Sequence, residues 1–358
     1  MPPSLQPVPG NHMVTTIDRT ASRPTSRIAA LDFTKGALVL FMVLYHWLNY
    51  FVAPEGDMYR YLRFLTPSFI FITGFLISNV YLARYQIADR RVPVRLMQRG
   101  LKLLAVFVCL NVAIGLLFAD SYNGRILFWQ LSLRNLVAIY MTGNVWVAEN
   151  AKAAAFYILI PISYLLLLSA LLLRASRFYR YTFHIVCVLF LLAIVILNLN
   201  GLKSPNLELL TIGLLGVVSG HASIEQINNC VSRPVALLLA YLCYVGAITL
   251  WNVTYPLQLV GVYLSLMLIY LLGASGSEPG RMRRHVILLG KYSLFGYIAT
   301  IAILQVLHRS LRHTNSGALA LGLTFVAAFA LTMASVEVID RVRARTMAVD
   351  RLYRAVFA

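Results

Sequence analysis

The sequence predicts an all-α fold, a polytopic transmembrane helical bundle of about ten spans with both termini cytoplasmic, and three observations carry that prediction. Hydrophobic residues make up 59% of the 358 and charged residues only 12%, and the mean hydropathy is +0.74, outside the range of soluble domains. Apolar stretches near the length needed to cross about 30 Å of hydrocarbon recur along the chain. The cations stand in short segments between those stretches and alternate from one side to the other.

Span one, residues 33–53, follows Arg19, Arg23 and Arg27, and span two covers residues 62–83. Arg84, Arg90, Arg91, Arg95, Arg99 and Lys102 separate span two from span three, residues 100–119. Span four, 153–173, is followed by Arg174, Arg177 and Arg180, and spans five to eight are read at 181–199, 206–223, 234–252 and 257–273. Arg281, Arg283, Arg284 and Lys291 lead into span nine, 290–308, while Arg341, Arg343, Arg345, Arg351 and Arg354 follow span ten, 317–339. The positive-inside rule makes all these basic groups cytoplasmic. The loop with Arg309 and Arg312 is the exception, because the count puts it outside. Residues 120–152 form the longest connection and hold Trp129, Arg134 and Trp146. Tryptophans at headgroup level and a central arginine read as an extracytoplasmic interfacial element. An extra span there would invert every later loop against the charge pattern.

The expected organisation is a disordered cytoplasmic segment over residues 1–30, one membrane domain over 31–340 and a basic cytoplasmic tail over 341–358. Residues 1–30 are rich in Pro, Ser, Thr and Arg and lack a short apolar core with a cleavage site, so no removable signal peptide is read and span one acts as an uncleaved anchor. The net charge of +18 is dispersed among loops, which argues against a nucleic-acid partner and for the lipid bilayer. Cys109, Cys187, Cys230 and Cys243 form no CxxC pair, so neither a disulfide framework nor a metal site is expected. Asn252-Val253-Thr254 is a glycosylation triplet on an outer loop, of a kind that also arises by chance.

Lys35 and His46 carry the strongest chemical signal. Their offset of eleven residues is almost three helical turns, which puts both on one face about 16 Å apart along the axis. An imidazole at bilayer depth faces either a neighbouring helix, as a hydrogen-bonding group, or a cavity in which it can act as a base. Asp32, three residues before Lys35, falls on roughly the same face. It is read either as a cap ion-paired to Lys35 or as part of the catalytic set. Arg95 and Arg99 stack on one helical face with Lys102 a turn further on. Their forks suit phosphate groups, and topology alone also explains them. Asn111, Glu208, His221, His308 and His313 are weaker candidates for lining a cavity, and Gly74 and the glycines of TIGLLGVVSG read as sites of close helix packing.

Three segments in order resemble membrane acyltransferase family 3, which is related to glucan succinyltransferases and heparan-glucosaminide acetyltransferase-like proteins. RIAALDFTKGALVLFMVLYH, from Arg27, is similar to the family's opening segment, with Lys35 and His46 as its basic residue and histidine. FIFITGFLIS, residues 69–78, resembles the second-helix segment, and RLMQR, residues 95–99, matches RxxxR. LGKYSLFGYIATI, ending at residue 301, looks like the late LGxxSYxxYLxH segment, with Thr300 where a histidine is common.

The resemblance implies a transferase that moves an acyl group, acetyl or succinyl, from cytoplasmic acyl-CoA to a hydroxyl of a cell-envelope carbohydrate or glycolipid in a bacterial plasma membrane. Carried onto this chain, the catalytic set is His46, Lys35 and Asp32 and the acyl-CoA site is Arg95, Arg99 and Lys102, with residues 120–152 contributing to the acceptor rim. Two other readings stand beside it. In a proton-coupled transporter or flippase His46 serves a relay. A noncatalytic partner in an envelope complex needs neither site.

Overall fold

The computed structural model describes residues 28–52, 57–82, 91–118, 131–148, 151–152, 154–175, 181–222, 224–251, 253–275, 280–311 and 317–357. Residues 1–27 with Arg19, Arg23 and Arg27, and also Arg84, Arg90, Trp129, Arg177, Arg180, Asn252, Arg312 and His313, lie outside the described residues.

Among the described residues there are fourteen helices: α1 (Ala29–Phe51), α2 (Leu65–Leu76), α3 (Arg91–Phe118), α4 (Leu133–Val137), α5 (Leu159–Ala175), α6 (Thr182–Leu199), α7 (Pro205–Ser219), α8 (Ile224–Val231), α9 (Pro234–Leu250), α10 (Tyr255–Ala274), α11 (Arg281–Lys291), α12 (Ser293–Leu311), α13 (Ala318–Arg345) and α14 (Met347–Phe357). Each of the ten apolar runs read from the sequence overlaps one of them. Seven stretches are long and apolar enough to cross a membrane: α1, the run Met58–Asn79 built around α2, α3, α6, α10, α12 and α13. An eighth is added if α7 and α8, bent by 103°, make one crossing. Helices α5 and α9 have 17 residues each, about 26 Å at 1.5 Å per residue, short of a 30 Å core. That shortfall is why seven or eight helices meet the length criterion where the sequence read about ten. The chain is a multi-pass membrane protein.

The outward faces agree with a lipid solvent. Helix α6 exposes Ile185, Val188, Leu189, Leu192, Val195 and Ile196, an apolar stripe that a water-soluble protein would cover. Inside, where lipid tails are as apolar as leucine, cohesion comes from close backbone approach and interhelical hydrogen bonds. A Cβ on Gly74 would fall 2.0 Å from the Gly213 carbonyl oxygen, and one on Gly216 would fall 2.1 Å from that of Phe71. Helices α2 and α7 therefore pack backbone to backbone, as read for Gly74 and TIGLLGVVSG. Ser78 Oγ adds a 2.6 Å hydrogen bond to the Val217 carbonyl.

Helix α1 is the hub, packed by α10, α11, α12 and α13, while α3 lies chiefly on α5. Helix α11 crosses α1 at two glycines. A Cβ on Gly36 would meet the Val286 carbonyl oxygen at 1.9 Å, and one on Gly290 would meet that of Asp32 at 1.7 Å. The chain turns at Tyr292 and α12 then follows α1 outward, with Leu304 clustered on Val43 and Gln305 Nε2 donating to Tyr50 Oη at 3.3 Å.

The described part of the long connection contains no crossing helix. Ser132 Oγ caps α4 by accepting from the Asn135 amide at 3.3 Å, and the helix widens into a π turn at Ala138–Thr142. Leu133, Val137 and Met141 are exposed at intervals of four while Ile139 is fully buried. One apolar face is thus left for the interface and the other holds the bundle. A short antiparallel ribbon, Trp146–Ala148 with Ala151–Lys152, closes the segment.

Candidate active site

The first turn of α1 has Ile28 as its N-cap, without a side-chain cap. Asp32 instead accepts an ion pair from Lys35 Nζ at 2.5 Å, with both side chains largely out of solvent. Spacing of three on a helix makes this pair local to α1. The backbone contact with Gly290 fixes its depth. His46 lies fourteen residues beyond Asp32, about 21 Å along the axis. The two groups therefore mark opposite ends of one helix face.

His46 is half-buried and sits among aromatic rings. Its ring centroid is 5.2 Å from that of Tyr45, edge to face, and 6.1 Å from that of Tyr297 on α12. Tyr297 lies within electrostatic range of Tyr157, Tyr50 and Tyr45. It is half-buried, as are Tyr157 and His46, so each of these side chains keeps part of its surface open.

Tyr297 is backed in turn by an unusual piece of backbone. Phe156 has φ 55°, the one positive φ at a residue other than glycine among the described residues, a conformation that strains a bulky side chain. Its buried ring meets Tyr297 edge to face at 5.6 Å. The strain is held by Asn111 on α3, whose Oδ1 accepts from the Ala155 amide at 2.8 Å and whose Nδ2 donates to the Ala155 and Phe107 carbonyls at 3.0 and 2.9 Å. Asn111 is thus a brace for this backbone. Tyr157, next along, hydrogen-bonds Thr66.

The basic set lies on α3. Gly100 turns toward α5, where Ser163 Oγ donates to its carbonyl at 2.5 Å, which leaves Arg95 exposed and Arg99 half-buried on another face. Lys102 Nζ donates to the Arg354 carbonyl at 3.5 Å, so α14 adjoins the basic face. Residues 341–357, read as a tail, form the end of α13 and this docked helix. Asp350 accepts from Arg343 at 2.6 and 3.0 Å and also from Arg354. These hydrogen bonds, Arg343 first, hold its carboxyl below the usual range. The Arg343 guanidinium lies 4.0 Å over the Tyr353 ring, and burial pushes the Tyr353 hydroxyl up to about 12.

The structure thus brings Asp32 to Lys35 and groups Arg95, Arg99 and Lys102 on one helix. It sets His46 against Tyr45 and Tyr297, with Phe156 on Tyr297 in turn. Of the weaker candidates, His308 meets Tyr50 at a tilt and Phe51 edge to face. His221 is exposed beside His184, and the carbonyl of Glu208 accepts from Tyr255. The four cysteines are free. Thr300 is fully buried and its hydroxyl donates to the Gly296 carbonyl at 2.8 Å. Sequence reasoning passed over Phe156 and Tyr297. Tyr297 stood inside LGKYSLFGYIATI, three residues from Thr300, and Phe156 gave no signal beyond its aromatic neighbour.

A model of the family described as "Acyltransferase domain" (Acyl_transf_3) matches residues 28–337. The chain belongs to acyltransferase family 3. The match opens at the start of α1 and ends within α13, so it takes in all six candidate residues and the aromatic surround of His46. Membership makes this a membrane-embedded protein of a transferase family, and α14 lies beyond the matched span. Comparison with curated proteins gives no match, and comparison with solved structures gives none.

Proposed function

We propose that this family 3 protein is an acyl-CoA-dependent O-acyltransferase that moves an acetyl or succinyl group from cytoplasmic acyl-CoA to a hydroxyl of a cell-envelope carbohydrate or glycolipid. The membrane is a bacterial plasma membrane, crossed about ten times with both termini cytoplasmic; this topology counts α5, α7 and α9 as crossings and follows the placement of the basic loops. The observation that carries the reading is the half-buried His46, set against Tyr45 and Tyr297, on a helix whose other end holds the Asp32–Lys35 pair.

Each group has a role. Arg95, Arg99 and Lys102 bind the phosphates of CoA as charge-assisted donors. The Asp32–Lys35 pair marks the entrance past which the pantetheine arm threads inward along α1. His46 takes the proton of the acceptor hydroxyl as that oxygen attacks the thioester carbonyl, and returns a proton to the departing thiolate. Holding donor and acceptor together in one site supplies the orientation that the reaction lacks in free solution. No metal enters the scheme.

Binding of acetyl-CoA, succinyl-CoA and CoA to purified protein in detergent tests the donor site. Saturable binding is expected for the wild type and its loss for the Arg95→Ala, Arg99→Ala double variant. Equal binding by both would remove the arginines from the donor site. Absence of binding by well-folded wild type would favour the transporter reading. His46→Ala is expected to keep CoA binding and lose transfer.

A further inference from the structure

We propose that Tyr297 is a further catalytic residue, whose hydroxyl donates a hydrogen bond to the oxyanion that develops on the acyl carbonyl oxygen during transfer. The inference rests on the acyltransferase reading above and deepens it by assigning the group that stabilises the reacting carbonyl.

Three observations support the assignment. Tyr297 is half-buried, as is His46, and its ring centroid lies 6.1 Å from the imidazole, so a carbonyl reacting beside His46 is close to Tyr297. Its hydroxyl makes no hydrogen bond among the described residues, whereas Tyr157 is engaged by Thr66 and Tyr50 by Gln305. Tyrosine hydroxyls inside a protein ordinarily find a partner, and one left without a partner on a side chain beside His46 is available to a ligand. The ring is also fixed in position: Phe156 meets its edge, Asn111 braces Phe156, and Gly296 beside it seats α12 on Val39 of α1. Donors held rigidly where charge develops, in a site from which water is largely excluded, are among the largest contributors to acyl transfer.

The step balances as follows. The acceptor oxygen forms its bond to the acyl carbon while His46 removes the acceptor's proton. The carbonyl π electrons move onto oxygen, which accepts the Tyr297 hydrogen bond. Collapse reforms the carbonyl and breaks the carbon–sulfur bond, and the thiolate leaves with the proton from His46. Tyr297 gives up no proton.

The test compares wild type with Tyr297→Phe, which removes only the oxygen, and with Tyr157→Phe. Purified protein is reconstituted with lipid and polysaccharide extract from its host envelope, and release of free thiol from acetyl-CoA and succinyl-CoA is followed with CoA binding and thermal midpoint. Tyr297→Phe is expected to lower kcat by about 100- to 1000-fold with KM for the donor, CoA binding, midpoint and the shape of the pH profile unchanged. Tyr157→Phe is expected to change kcat by less than about tenfold, since its oxygen already serves Thr66. A Tyr297→Phe enzyme within threefold of wild-type kcat would reduce Tyr297 to packing and overturn the inference alone. A wild type that neither binds CoA nor releases thiol would overturn the acyltransferase reading, and this inference with it.

Discussion

Gly290→Ala is the sharpest test of how the site is held. A Cβ at that position would lie 1.7 Å from the Asp32 carbonyl oxygen and 2.9 Å from the Gly36 amide. Carbon and oxygen rest at about 3.3 Å, so α11 and α1 must part by about 1.6 Å or tilt equivalently. The opposing atoms are backbone, so no side-chain rotation relieves the contact, and overpacking of this kind costs about 1–3 kcal/mol. The functional effect is expected to be larger. Helix α11 continues through Tyr292 into α12, which carries Tyr297, so a displacement at Gly290 changes the Tyr297–His46 spacing. A misplacement of about 1 Å lowers rates on the order of 100-fold. Thermal unfolding and thiol release in the same detergent preparation read the two effects. Gly322→Ala on α13, where a Cβ would meet nothing within 4 Å, is the control. Helix propensity there favours alanine by about 1 kcal/mol. If Gly290→Ala matched wild type in both stability and rate, the close crossing of α1 and α11 would be wrong, and the reasoning that fixes Tyr297 through it would go too.

Asn111→Leu should destabilise the protein by roughly 2 kcal/mol, because the Ala155 amide and carbonyl lose their partners; thermal melts with the activity assay would register the loss, and an unchanged midpoint would remove Asn111 as the brace of Phe156. Thr300→His, which supplies the histidine common in the family, should lower stability by about 1–3 kcal/mol, since Thr300 is fully buried. A stable and more active variant would show that the pocket tolerates an imidazole. Docking of α14 should depend on pH at both extremes. Asp350 has a depressed folded pKa, so its contribution is present above the unfolded carboxylate value and is lost as pH falls through the folded one. Tyr353 is raised to about 12, so its contribution is full below the unfolded value and fades as pH rises toward 12. Hydrogen exchange over residues 347–357 should therefore quicken at both ends and, for Asp350→Asn, at neutral pH. A flat profile would refute the ionic latch.

The membrane class and the helix positions were legible because hydropathy reports burial in lipid directly. Crossing by crossing the reading was coarser. Apolarity of α5 and α9 is evident from composition, but their helical lengths depend on where flanking residues leave the helix. Lys35 and His46 were legible as a pair because their spacing alone fixes a face, and the ion pair between Asp32 and Lys35 follows from a spacing of three. Phe156 was not, since a positive φ at phenylalanine is set by tertiary bonds from Asn111, 45 residues earlier, and no local rule points to it. Tyr297 was hidden for the same reason: one tyrosine among many becomes distinctive only when its place beside His46 and its unpartnered hydroxyl are seen together.

The late arrival of the partners of α1 has a consequence for how the chain is made. Helix α1 leaves the ribosome roughly two hundred residues before α10, about 10–40 s at 5–20 residues per second, yet α10 to α13 supply most of the surface that covers it. Through that interval its Gly36 groove stays open, and its charged residues enter the translocation machinery without those helices around them. The pairing of Asp32 with Lys35 at a spacing of three needs no other helix, so the two charges can neutralise each other as soon as the first turns of α1 form. Insertion of this span is then eased by the same contact that the proposed mechanism places at the mouth of the site, so biogenesis can constrain this pair whatever its part in catalysis.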